Sequence, residues 1–530
     1  MRGYTHLHLA LLAVRYVIIL PALLWCLRSQ RGASSGSPLP RIPLGIALLG
    51  FAVVTIPLSR ISAQGLLNPD ESGYSFQARI YRSGRLMAEP LIGASAEVRQ
   101  TPPELFFENH VLLPRGWFPK FPPGWPLVLS LGYRISAPWL LNPIFGLLQL
   151  FAIAAIGVRI FSYETGALAV FFGVLSPFFL VNSIGLMSHA FCALLAVMAS
   201  LALFRALATG RLRYYAGMFA CLAATIQVRP YTGFVLALVL TSAAIWLSRR
   251  NRTNLVRVFS VGVLFGVIAL ACVLLYNHVY TGNSFVSPYA MAAGANTPPE
   301  LSFRPGRMWQ GIRQYAPQAA EESLIGAFPF LYLLAAYALI REKKRRKEVW
   351  ILAAVYLALV VAYLAHPDGS GVLFGERFHF EGFFALLLLA SRGSQLLFQR
   401  WRNPRGAVVW ILILFAVTQV AQQSAAVAAV VQRVEPYRKV REEIADSGVT
   451  GLVFLPDSPG FVAKHFNLND PDWRHASRIY LVDAEPDLRD EWACRYGVAD
   501  WTVVTYDPKL KHAALRKSTS NCATLNRVPQ

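Results

Sequence analysis

The chain has 530 residues, with 50 Lys and Arg against 29 Asp and Glu and a formal net charge of +21. Hydrophobic residues make up 55% and charged residues only 15%, against roughly 25% charged in an ordinary soluble domain, and the mean hydropathy is +0.43. Soluble, disordered and collagen-like proteins are excluded. So is a nucleic-acid binder, which would gather its cations on one face of a soluble domain; here Arg and Lys sit in short clusters between apolar runs, as in a polytopic membrane protein.

A helix crosses the hydrocarbon with about 20 apolar residues. Twelve stretches qualify, at about 8–28, 42–60, 136–158, 165–182, 188–208, 214–229, 231–248, 258–280, 323–340, 349–366, 380–397 and 407–427. The first carries Arg15 near its middle. Alternate connections hold Arg28, Arg31 and Arg41; Arg159; Arg205, Arg211 and Arg213; Arg249, Arg250, Arg252 and Arg257; the run REKKRRKE at 341–348; and Arg400, Arg402 and Arg405. All fall on one side, which the excess of cations makes the cytoplasm. The large polar insertions, about 61–135, 281–322 and 428–530, then fall outside, and chemistry is expected there. The basic run at 341–348 reads as a topology determinant that also touches anionic lipid.

The last hundred residues read as a small extracytoplasmic α/β unit, with VEPYRKVREEIADSG as an amphipathic helix, GLVFL as a strand and PGFVAKHF as a short helix. RIYLVDA follows as a strand, EPDLRDEWACRYG as a helix and WTVVT as a strand, an alternation that predicts a parallel layer. No Gly-rich phosphate loop follows these strands, so no catalysis is assigned to them. No CxxC spacing exists among the six cysteines, which argues against a cysteine metal site. Cys494 and Cys522 lie in polar sequence and are candidates for a disulfide in an oxidising compartment.

The stretch LNPDESGYSFQARIYRSGRL, residues 67–86, puts Asp70 and Glu71 side by side after an early span, with Tyr74, Ala78 and Tyr81 at helical spacing. Alone, it reads as a surface helix with acids in its first turn. In FPKFPPGWPLVLSL, residues 118–131, paired prolines fix an extended segment that re-enters the membrane behind Lys120. Arg229-Pro230, Ser188-His189 and GERFHFEGF at 375–383, with Arg377, His379 and Glu381, fall at the same external ends. Ionisable groups converging at one membrane face are costly and mark function.

These motifs, in this order, resemble the GT-C superfamily of glycosyltransferases, in particular the family-39-like branch with protein O-mannosyltransferases and the lipid A aminoarabinose transferase. YNHVYTGNSF at 276–285, with Asn277, resembles a loop of bacterial members. The likeness covers about 42–400 and implies an all-α transmembrane domain over 1–427 in a bacterial inner membrane. It also implies transfer of a sugar from a polyprenyl-phosphate donor to a glycan, lipid or protein hydroxyl, with inversion. Asp70 matches the acid taken as the general base, with Glu71 in support, and Lys120 matches a cation near the donor phosphate. Arg79, Arg229 and Arg377 supply further positive charge suited to a phosphate. Tyr74, His189, Asn277, His379 and Glu381 are further candidates for the substrate site. No cofactor is assigned, although a divalent metal is allowed, for which His189 is the candidate ligand. A secondary transporter, for which twelve spans is a familiar number, and a non-enzymatic membrane scaffold are the rival classes. A transporter keeps its site at the bilayer midplane, whereas the polar residues here collect at the external ends.

Overall fold

A computed structural model describes residues 41–91, 106–293, 329–364, 377–400, 405–458, 461–483, 486–498 and 500–520, with a few positions between 306 and 313. The expected first span at 8–28 lies outside the described residues. Helix α1 (Arg41–Ser62) leads to a polar helix α2 (Pro69–Arg82), a hairpin of β1 (His110–Leu113) and β2 (Gly116–Pro119), and α3 (Gly124–Arg134). Then come α4 (Leu141–Ile160), α5 (Tyr163–Leu175), α6 (Pro177–Asn182), α7 (His189–Thr209), α8 (Leu212–Val228), α9 (Pro230–Ser248), α10 (Arg252–Thr281) and the short α11 (Pro288–Ala293). The chain continues with α12 (Pro329–Arg341), α13 (Arg346–Tyr363), α14 (Phe380–Arg400) and α15 (Arg405–Asp446).

Among the described residues five stretches are long and apolar enough to cross a membrane: Leu44–Ser62, Pro138–Ile160, His189–Thr209, Pro230–Ser248 and Arg252–Thr281. Tyr163–Leu175 and Leu331–Arg341 are apolar but shorter. The stretch expected as one span at 165–182 is two helices. Ser176 leaves α5 in extended backbone and caps α6 by accepting from Phe179 N at 3.2 Å, and Pro177 takes the first helical position, where its missing N–H costs nothing. This break releases residues 183–188 to turn toward α2 before α7 begins. The PPGWP segment expected to be extended becomes helical from Gly124 onward.

The C-terminal sheet holds β3 (Gly451–Leu455), β6 (Arg478–Val482), β7 (Asp500–Asp507) and β8 (His512–Thr519) in the order β6-β3-β7-β8. The three expected strands are parallel, and β8 closes the sheet antiparallel to β7. The expected helix in PGFVAKHF is instead β5 (Phe461–Val462), paired with β4 (Asp457–Ser458), followed by a single 3-10 turn at Ala463–His465. Helix α16 (Arg489–Arg495) lies within the predicted helical stretch before β7. Cys494 is disulfide-bonded, while Cys192, Cys221 and Cys272 are free.

This sheet does not stand apart. Helix α15 is one 42-residue helix, about 60 Å long at 1.5 Å per residue, that runs from the last apolar stretch to the sheet. Its Tyr437, Val440 and Ile444 share a hydrophobic core with Val453 and Phe454 of β3 and with Phe76, Ile80, Trp117 and Phe118 of the insertion after α1. Arg433 Nε donates to Leu67 O at 2.7 Å and Arg441 Nη1 to Ala63 O at 3.2 Å, so α15 also grips the α1–α2 connection.

Candidate active site

The site is built around the start of α2. Asn68 caps the helix by accepting from Asp70 N at 3.0 Å, Pro69 opens it, and Asp70 and Glu71 occupy its first turn with Arg79 and Arg82 in its last. Each choice agrees with the orphan amides and the dipole of a helix. The cap itself is Asn68, which leaves both acids free to act elsewhere.

They act differently. The Asp70 carboxylate is 24% exposed and faces Arg377 Nη2 at 3.4 Å through Oδ2. Its Oδ1 accepts from Asn109 Nδ2 at 3.3 Å. Glu71, 2% exposed, turns inward: Oε2 accepts from Leu67 N at 3.0 Å and Oε1 from Leu186 N at 2.8 Å. Burial pushes its carboxyl up to about 7, partly offset by the amides of Leu186, Leu67 and Asn68. Glu71 thus holds the 183–188 turn against α2. Gly185 makes room for that contact at φ +70, where an added Cβ would lie 2.2 Å from Glu71 Oε1. Tyr74, one turn along, is buried against Phe121 with ring centroids 4.2 Å apart, and its hydroxyl meets Ser188 Oγ at 3.2 Å. Burial raises its phenol to about 12, with Arg229 and Arg377 pulling down and Asp70 pushing up.

Beyond Ser188 the first residue of α7, His189, shares a second cluster. Glu381 Oε1 accepts from His189 Nδ1 at 2.9 Å and from Arg229 Nε at 3.3 Å. Arg229 Nη1 donates to His189 Nε2 at 3.3 Å and Nη2 to Tyr363 OH at 3.5 Å. A guanidinium donating to Nε2 fixes the neutral tautomer with hydrogen on Nδ1. The Phe378 ring links the clusters, with the Arg229 guanidinium 5.3 Å and the Arg377 guanidinium 5.4 Å from its centre. Arg377 and Glu381 are one turn apart in sequence, yet they take separate partners. Arg377 Nε and Nη1 are buried and carry no hydrogen-bond partner among the described residues.

Lys120 joins the same side. Its ammonium lies 5.0 Å from the Tyr289 ring centre, Tyr289 meets Phe121, and its backbone N donates to Asn109 O at 2.9 Å. Arg79 points away from Asp70 and donates to Asn469 O at 2.8 Å. Asn277 donates to Ser284 O at 3.0 Å at the end of α10, and His379 packs edge-on to Tyr356. Asn109, Thr232 and Tyr363 are members of the site that sequence reasoning missed. Thr232 and Tyr363 are 131 residues apart and meet hydroxyl to hydroxyl at 2.6 Å, which no local pattern signals.

His189, the candidate metal ligand, is not placed to bind a divalent metal through a free ring nitrogen. Among the described residues no three His, Cys, Asp or Glu side chains gather. Both ring nitrogens of His189 are engaged, one by a guanidinium, and both Glu71 oxygens accept backbone amides.

No family sequence model matches the chain, and no curated protein matches it by sequence. Solved structures do. ArnT from Cupriavidus metallidurans bound to undecaprenyl phosphate superposes with a TM-score of 0.53 at 13% identity, over 92% of this chain and 99% of that one. The Archaeoglobus fulgidus oligosaccharyltransferase in the apo form gives 0.47 at 12% identity, over 90% and 74%. Arabinofuranosyltransferase AftD from Mycobacteria gives 0.48 at 14% identity, over 88% and 37%. The likeness to ArnT, with a TM-score above 0.5, shows that the two chains share a fold. Because it spans 92% of the chain, it extends past residue 400 into the C-terminal sheet, beyond the 42–400 that the motifs alone covered.

Proposed function

We propose that the chain transfers a sugar from a polyprenyl-phosphate donor to an acceptor hydroxyl, with inversion, on the extracytoplasmic face of a bacterial inner membrane. The observation that carries this reading is the pairing of a part-exposed acid, Asp70, with a guanidinium, Arg377, two of whose buried donors have no partner among the described residues. A leaving phosphate requires cations rather than a proton donor, and an incoming hydroxyl requires a base. Arg377 supplies both ends: Nη2 steadies Asp70, while Nε and Nη1, without a partner among the described residues, are available to phosphate oxygens. Arg229, across Phe378, adds the second charge, held by Glu381.

In the step, the acceptor oxygen attacks the anomeric carbon and its proton passes to an Asp70 carboxylate oxygen. The bond from anomeric carbon to phosphate oxygen breaks, and its electron pair stays on the polyprenyl phosphate. Attack opposite the leaving group inverts the centre. Glu71 does not reach the reactants; it fixes the turn that carries Ser188 and His189. The cation-rich connections on the opposite side support the external placement.

The test is incubation of the purified full chain with radiolabelled polyprenyl-phosphate hexoses and pentoses and an envelope lipid and glycan extract. Release of free polyprenyl phosphate with label in the acceptor fraction supports the proposal. No release from any donor, with solute uptake into proteoliposomes, would establish a transporter instead.

A further inference from the structure

We propose that Asn109 is a positioning residue for Asp70 and that the C-terminal segment 463–469 holds it in place, which makes the C-terminal sheet part of the transfer apparatus. The inference rests on the reading of Asp70 as the base.

Asn109 adopts φ +65, a left-handed conformation that Asn tolerates better than most residues with a Cβ. Its carbonyl accepts from Lys120 N at 2.9 Å, which ties the turn to the end of β2. Its carboxamide reaches Asp70 Oδ1 at 3.3 Å while Arg377 faces Oδ2 at 3.4 Å. Each carboxylate oxygen therefore has one anchor, and rotation of the carboxylate is restrained from both ends. That restraint matters for a base. It must meet the acceptor hydroxyl within about 2.6–3.2 Å, and a misplacement of an ångström can cost about 100-fold.

The residues on either side of Asn109 are both bound to the C-terminal segment. Glu108 N donates to Lys464 O at 2.8 Å, and the Glu108 carboxylate meets His465 Nε2 at 3.1 Å. Asn467 Nδ2 donates to His110 Nε2 at 3.1 Å, so His110 Nδ1 donates to Glu108 O at 2.7 Å. The same segment holds α2. Asn467 N donates to Ser72 Oγ at 2.8 Å, and Asn469 O accepts from Arg79. Asn467 and Asn469 are buried, and Asn469 bonds both backbone groups of Tyr480 in β6 at 2.9 Å. A continuous set of hydrogen bonds thus runs from the edge strand of the sheet, through segment 463–469, to the turn that holds the base.

The test compares Asn109→Gly, Asn109→Asp, Asn467→Ala and Asp70→Asn in the donor-release assay, with kcat, donor KM and Tm measured on each full-length preparation. Glycine accepts φ +65 without strain, so Asn109→Gly removes the carboxamide and leaves the turn. The expected result is a kcat about 10- to 100-fold lower, with donor KM and Tm near the parent's. Asn109→Asp, which sets a second carboxylate against the first, falls further, and Asn467→Ala repeats the loss in kcat. Parent-like kcat per folded molecule in Asn109→Gly, beside an inactive Asp70→Asn, overturns the positioning role alone. An active Asp70→Asn overturns the assignment of the base on which it rests.

Discussion

Replacing Glu71 by Gln tests whether burial or charge dominates at the start of α2. The folded protein holds the Glu71 carboxyl at about 7 against an ordinary value of 4.5. An acid raised on folding stabilises fully below its unfolded value, and that stability is lost as pH rises through the folded value, here between 4.5 and about 7. At about 1.4 kcal/mol per pH unit the loss is roughly 3 kcal/mol. His110 acts with the opposite sign. Burial holds its imidazole at about 4 against 6.5, so its contribution is complete above 6.5 and lost as pH falls toward 4. The parent carries two opposed slopes, and Glu71→Gln removes only the first. Stability of the variant should climb from about pH 4 to pH 6.5, and the parent-minus-variant difference should fall by roughly 3 kcal/mol from about pH 4.5 to pH 7. The lost acceptor for Leu67 N or Leu186 N adds an offset that pH does not change. Denaturant unfolding of both full-length proteins in one detergent, from about pH 4 to pH 8, measures the difference. A difference that stays constant over that range would refute the burial argument.

Gly185→Ala forces a side chain into a φ +70 position 2.2 Å from Glu71 Oε1 and should cost about 2 kcal/mol or more, read as a lowered Tm that Glu71→Ala partly restores. Arg377→Ala removes charged donors worth about 1.5–3 kcal/mol and should weaken undecaprenyl-phosphate binding by roughly 10- to 100-fold. Arg377→Lys recovers only part of this, and unchanged binding with a lowered Tm would make Arg377 structural. Cys494 should pair with Cys522: Cys522→Ser should release one alkylatable thiol in unreduced, denatured protein, and no new thiol would point to another partner.

The membrane character, α2 and the three parallel strands were legible because each leaves a local pattern: apolar runs of spanning length, Asn68-Pro69 with acids then Arg79 and Arg82, and alternating β-rich stretches. The break at Ser176-Pro177 was present as Ser-Pro, yet the apolar residues on both sides masked it. Strand β8 carries too many polar residues to show itself, since one face of an edge strand stays wet. At the site, Asp70, His189, Arg229, Arg377 and Glu381 stood out as charges in apolar surroundings. Their pairing did not, because Glu381 is as close in sequence to Arg377 as a helical partner should be, yet folds onto His189 and Arg229. Asn109 was invisible for a different reason: its importance lies in a left-handed backbone and in the contacts of its neighbours Glu108 and His110 to a segment more than 350 residues away.

The central claim is that Asp70 accepts the acceptor's proton. Asp70→Asn keeps the size of the side chain and an acceptor oxygen for Asn109, and removes the base. Turnover per folded molecule, measured as polyprenyl phosphate released, should fall about 10²- to 10⁴-fold while undecaprenyl-phosphate binding persists. Turnover within a few-fold of the parent, in protein that is folded and binds the lipid phosphate, would contradict the account.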